Sequence, residues 1–107
     1  MQTMEREELL KAMKEIVYAH DPTAQVILFG SQARGDASEE SDWDLLILTN
    51  DRYTWREWQK IERALIELEW RAGQVIIPIF RRTQEWNAPM HKVMAFHKNV
   101  ERDGVLL

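Results

Sequence analysis

Between Glu5 and Ala19 the apolar residues Leu9, Leu10, Met13, Ile16 and Val17 recur at three- and four-residue spacing, which predicts a helix with one buried stripe. His20-Asp21-Pro22 ends it, because the residue before a proline is driven out of the helical region. Ala24 to Phe29 is a short apolar, β-branched run that stops at Gly30, the pattern of a buried strand feeding a turn. Asp42 to Leu48, closed by Thr49-Asn50-Asp51, predicts a second central strand beside it. Ser31 to Ser41 is small, polar and glycine-bearing, and one helical turn is expected around Gln32-Ala33-Arg34.

From Tyr53 to Arg71 a single helical face collects Trp55, Trp58, Ile61, Leu65 and Leu68, and Gly73 supplies the stop. Val75 to Phe80 reads as a third strand, placed at a sheet edge or bulge by Pro78, which has no amide hydrogen for a ladder. Thr83 is expected to cap a short helix through Gln84-Glu85-Trp86, and Asn87-Ala88-Pro89 to turn. Met90, Val93, Met94, His97 and Val100 then line a last helix stopped near Gly104, with Val105-Leu106-Leu107 a docked end. No repeat or linker interrupts the order, so residues 1–107 are expected to form a single α/β domain, a small mixed sheet backed by helices.

Composition narrows the functions such a domain can have. The chain is 45% hydrophobic and 30% charged, the balance of a folded soluble protein. A net charge of −4 argues against extended nucleic-acid binding through a basic surface. No run approaches the ~20 apolar residues of a membrane span, and the first residues lack the apolar core of a signal peptide, so no membrane partner and a cytoplasmic location are expected. With no cysteine, the strong metal ligands available are carboxylates and three histidines, which favours hard cations.

The chemistry-bearing residues cluster in Phe29-Gly30-Ser31-Gln32-Ala33-Arg34-Gly35 and Ser41-Asp42-Trp43-Asp44-Leu45. Residues two apart on a strand share a face, so Asp42 and Asp44 present their carboxylates together while Trp43 points away. Such a pair suits Mg²⁺, an ion that prefers oxygen and is commonly held by one or two carboxylates plus substrate phosphates. Gly30 lets backbone approach a phosphate closely, the amides that follow it offer donors, and Ser31 adds a hydroxyl. Together they permit in-line attack on an α-phosphorus with pyrophosphate leaving.

Gly30-Ser31-x-Ala33-Arg34-Gly35 followed by Ser41-Asp42-x-Asp44-Leu45 resembles the signature of the minimal nucleotidyltransferases, members of the DNA polymerase β-like superfamily. The resemblance implies a polymerase β-like palm fold and Mg²⁺-dependent transfer of a nucleoside monophosphate, with ATP as the expected donor. It gives Gly30 and Ser31 the triphosphate role and Asp42 and Asp44 the catalytic role, as holders of a two-metal site. It further implies a protein acceptor, because many relatives are antitoxins encoded beside a helical HEPN-type partner. The small size of such proteins makes assembly with another chain, a partner or a second copy, an expectation.

One departure qualifies this. The superfamily usually carries a third carboxylate on the following strand, and here Gln74 to Phe80 holds no acid. The alignment sets Val75 or Ile76 where the acid belongs, with Glu69 and Glu85 as flanking substitutes. The alternative reading is therefore a catalytically degenerate nucleotide-binding or antitoxin-like partner-binding module. Arg34 is a phosphate clamp or a loop brace paired with Asp36 or Asp42. His20, His91 and His97 share no ligand spacing and read as surface or packing residues, and Trp55 and Trp58 as core.

Overall fold

The computed structural model describes residues 4–38 and 41–107. Helix α1 (Arg6–His20) leads into strand β1 (Gln25–Phe29), a four-residue turn of helix α2 (Ser31–Arg34) and strand β2 (Trp43–Thr49). Helix α3 (Trp55–Ala72), strand β3 (Ile76–Arg82), the short helices α4 (Thr83–Asn87) and α5 (Pro89–Lys92), helix α6 (Ala95–Asp103) and strand β4 (Val105–Leu106) complete the chain. The strand order is β3-β2-β1-β4. β1 runs antiparallel to β2 and β4, and β2 runs parallel to β3, so the sheet is mixed.

The long helices carry their own start and stop signals. Thr54 caps α3 in a capping box, its side chain accepting from the backbone while Glu57 accepts from the Thr54 N–H, and Gly73 closes the helix at φ 67°. At the end of α1 the buried Asp21 carboxylate accepts from the backbone and hydroxyl of Thr23 and from Asn50 N–H at 2.7 Å, tying the entry of β1 to the exit of β2.

Strand alternation sorts the core into two layers. Val26, Leu28, Trp43, Leu45, Ile47 and Ile76 face α1 and α3, where they meet Leu9, Met13, Val17, Ile61, Leu65 and Leu68. On the other face Leu46 and Leu48 meet Trp86 and Val100, flanked by Ile27, Phe29, Ile79 and Phe96. No described helix is long and apolar enough to cross a membrane.

The structure departs from the sequence pattern in three places. The run from Met90 to Val100 forms two helices, α5 and α6, because Met94 adopts an extended conformation between them and starts α6 as its cap residue. Thr83 is inside α4, with Arg82 at the cap position, and its hydroxyl donates instead to the Thr49 carbonyl. Trp55, the first residue of α3, is 59% exposed; Trp58 stacks on Phe80 and donates to Thr49 Oγ1. His97, expected at the surface or in packing, is buried and stacked on Trp86 at 4.1 Å, a packing role.

Candidate nucleotide and metal site

β1 ends at Phe29, whose register partner on β2 is Asp44. The chain then turns through Gly30 at φ 73° and ψ −158°, a region open in practice to glycine alone. A Cβ at Gly30 would overlap Asp44 Oδ2, so the turn and the carboxylate are in direct contact through the absent side chain. The Gly30 carbonyl accepts from the amides of Ala33 and Arg34, both at 3.1 Å, which folds Ser31–Arg34 into its single turn. The first amides of such a turn have no acceptor within it and are aimed outward.

Trp43 buries its indole on the α1–α3 side, donates to Gln74 Oε1 and lies under the Arg6 guanidinium. Asp44 consequently points to the opposite face, with Asp42 one residue before the strand begins and exposed. Burial pushes the Asp44 carboxyl above its ordinary range, the Asp42 carboxylate pushes it further, and the Arg34 guanidinium opposes both. Arg34, Asp42 and Asp44 are thus electrostatically linked, and Gly30 lies in contact with the last of them. Two carboxylates that repel one another fit a divalent cation, which would relieve that repulsion. Among the described residues no cluster of three or more metal-ligating side chains occurs, so Asp42 and Asp44 have no third ligating side chain grouped with them.

Arg34 is braced on both sides. Its Nε lies 3.2 Å from Asp36 Oδ2, and its guanidinium lies 3.9 Å from Asp103 at the end of α6, a partner that nothing in local spacing reveals. Gln32 is a second residue the sequence pattern does not disclose. It is 7% exposed, accepts from Arg6 through both its side chain and its backbone carbonyl at 3.0 Å, and donates to the Ser41 carbonyl at 3.3 Å. It therefore ties α1 and the Gly30-Ser31 turn to the residue preceding Asp42. Ser41 Oγ accepts from Ser38 N–H at 2.8 Å.

The parallel register places Ile77 beside Asp44 and Ile76 beside Trp43. The position where a third acid would stand is therefore Ile77, with Val75 one alternation earlier; Ile76 is a core residue and is not a candidate. Val75 is 53% and Ile77 39% exposed, an apolar strip open to solvent. Neither flanking acid substitutes: Glu69 accepts the Ile76 N–H at 2.7 Å, and Glu85 pairs with Arg82. A concavity of about 830 Å³ lies along α1, around Leu10 and Tyr18, and none of these site residues lines it.

Residues 6–101 match the nucleotidyltransferase domain family. Two proteins of Methanocaldococcus jannaschii, both named "putative protein adenylyltransferase", are similar to this chain. One is 41% identical over 78 residues, covering 71% of this chain and 79% of the relative. The other is 33% identical over 102 residues, covering 91% and 95%. Among solved structures, one titled "Structure of putative minimal nucleotidyltransferase" superposes with a TM-score of 0.62 at 26% identity, covering 97% of each chain.

Proposed function

The chain belongs to the nucleotidyltransferase domain family, and from that premise we propose that it binds ATP with Mg²⁺ and transfers AMP to a hydroxyl of another protein. The observation that carries the proposal is the contact of Gly30 with the Asp44 carboxylate, which sets a glycine-serine turn directly against a paired-carboxylate seat. The relatives' names support the nature of the transferred group and the acceptor.

The outward amides of the turn, with Ser31 Oγ, hold the β- and γ-phosphates, and Arg34 faces the same negative charge from its brace on Asp36 and Asp103. Asp42 and Asp44 would hold the Mg²⁺, which when bound supplies charge neutralisation at the α-phosphoryl group and the leaving oxygens. The acceptor oxygen forms a bond to the α-phosphorus, the bond from that phosphorus to its bridging oxygen breaks, and pyrophosphate departs with the electron pair. Ile77 offers no base, so the acceptor's proton passes to solvent. The expected rate lacks the ~10²–10⁴-fold that a positioned base contributes.

That same Ile77 favours a second reading, a member of the family that binds nucleotide and a helical HEPN-type partner without turnover. Incubation with ATP labelled at the α-phosphate and candidate acceptor proteins separates the two. Label on protein, lost in Asp42→Asn/Asp44→Asn, is expected; metal-dependent nucleotide binding without transfer or pyrophosphate release to any acceptor would leave only the second reading.

A further inference from the structure

On the sheet face that carries Asp44, the next residues along the strands are Leu46 and Leu48 of β2 and Ile79 and Arg81 of β3. Above Ile79 and Arg81 opens a cavity of about 260 Å³, walled by Trp86, His91, Met94 and Phe96. Phe96 joins it to the site, because its ring meets Phe29 edge-to-face at 5.4 Å and Phe29 is the register partner of Asp44. Ile79 lies two residues beyond Ile77, about 7 Å along the strand. Trp86 is stacked on His97, and its carbonyl accepts from His97 Nε2 at 3.1 Å.

We infer that this cavity receives the purine ring of the nucleotide; the inference rests on the proposed nucleotide site and deepens it. An in-line displacement fixes the directions. The leaving pyrophosphate lies on the β1 side, at Gly30 and Ser31, so the acceptor must approach from the β3 side, over Val75 and Ile77. The reaction axis therefore runs across the strands, and the nucleoside leaves the α-phosphorus along them. Towards the start of β2 it would meet the polar turn of Ser38 and Ser41. Towards Ile79 it meets aromatic and aliphatic walls that stabilise a buried flat ring.

The one guanidinium among those walls is that of Arg81. Its guanidinium donates to its neighbour's carbonyl, Phe80 O, at 2.7 Å, and no carboxylate of the described residues lies within 4 Å of it. A guanidinium only donates, so it can pair with an acceptor on the ring edge, such as N7 of a purine, while the size of the aromatic and aliphatic walls favours the larger purine ring. Met94, a lining residue that is 55% exposed, is a flexible side chain able to adapt to a flat ring.

Calorimetric titration with Mg²⁺ compares a non-hydrolysable ATP analogue with inorganic tripolyphosphate, in the wild-type protein, Arg81→Gln and Met94→Trp. Both substitutions are at positions whose side chains leave the aliphatic core intact, and a circular dichroism melt checks folding. The inference predicts that both variants bind the nucleotide at least about tenfold more weakly and tripolyphosphate unchanged. It also predicts that the wild type prefers ATP and GTP analogues to those of CTP and UTP. Equal nucleotide affinity in folded variants and wild type, or an equal loss for both ligands, would overturn the cavity's assignment while leaving the triphosphate site standing. A wild type that binds neither ligand would overturn the assignment and the proposed function together.

Discussion

On one face of the sheet Val26, Leu28, Trp43, Leu45, Ile47 and Ile76 are all buried beneath α1 and α3, and nothing but packing is asked of them. On the other face the same strands present Asp44 and Ile77 to a surface that α4–α6 cover only at the end of Leu46, Leu48 and Ile79. The difference comes from single-residue alternation: Trp43 anchors one layer with its indole fixed by Gln74 and Arg6, and that anchoring is what aims Asp42 and Asp44 outward on the uncovered half. A closed aliphatic layer holds the open, charged layer in register.

The sharpest way to break this contrast is to alter β2 at adjacent positions on opposite faces. Asp42→Asn/Asp44→Asn is expected to reduce AMP transfer by about 10³-fold or more, the scale of a lost metal interaction of several kcal/mol, without lowering the thermal midpoint. Leu45→Ala is expected to do the reverse, lowering stability by about 3 kcal/mol in chemical denaturation while folded molecules retain transfer. A destabilised Asn double variant, or a Leu45→Ala protein as stable as the wild type, would erase the division between the faces.

Smaller effects sharpen the contact between turn and carboxylate. Gly30→Ala must both leave the glycine-only region and displace Asp44, so it is expected to cost about 2 kcal/mol and to weaken triphosphate binding together with it, measured by denaturation and titration. Gln32→Ala removes the tie to Arg6 and Ser41. Its expected signature is a fall in kcat of about tenfold with nucleotide affinity nearly unchanged, partly restored by Gln32→Glu, which can still accept from Arg6. Equal falls in affinity and kcat would make Gln32 a general stability element instead.

Much of this was legible in the residues. The periodicity of α1 and α3, the three longer strands and the edge position of Pro78 follow from local pattern, because each element buries a stripe whose period equals its own. Gly30, Ser31, Asp42 and Asp44 are brought to one end of β1 and β2, as their spacing predicts. What local pattern could not carry is register. Only the pairing of β2 with β3 identifies Ile77 as the residue beside Asp44, and a shift of one residue from Ile76 exchanges a core position for an open one. The long-range ties, Arg34 to Asp103 and Arg6 to Gln32, span distances in sequence that no periodicity encodes.

The mildest prediction concerns the charge on Asp44 itself. Its carboxyl titrates above the ordinary range in the folded protein, so ionised Asp44 opposes folding above that folded value, and the opposition fades as pH falls through it towards the unfolded value. Without divalent ions, Asp44→Asn should therefore stabilise the chain at neutral pH, by at most about 1 kcal/mol once solvent screening is allowed for, and give no gain in acid. A variant less stable than the wild type at pH 7 would mean that Asp44 is held by partners rather than strained by burial and Asp42.

The central claim, that the Gly30-Ser31 turn and the Asp42–Asp44 pair form one nucleotide site, is tested most directly by titrating the purified protein with a non-hydrolysable ATP analogue, with and without Mg²⁺, beside Asp42→Asn/Asp44→Asn. The account predicts saturable binding that requires Mg²⁺ and disappears in the double variant. Binding that is indifferent to both Mg²⁺ and the two carboxylates, or no binding of any triphosphate, would contradict it.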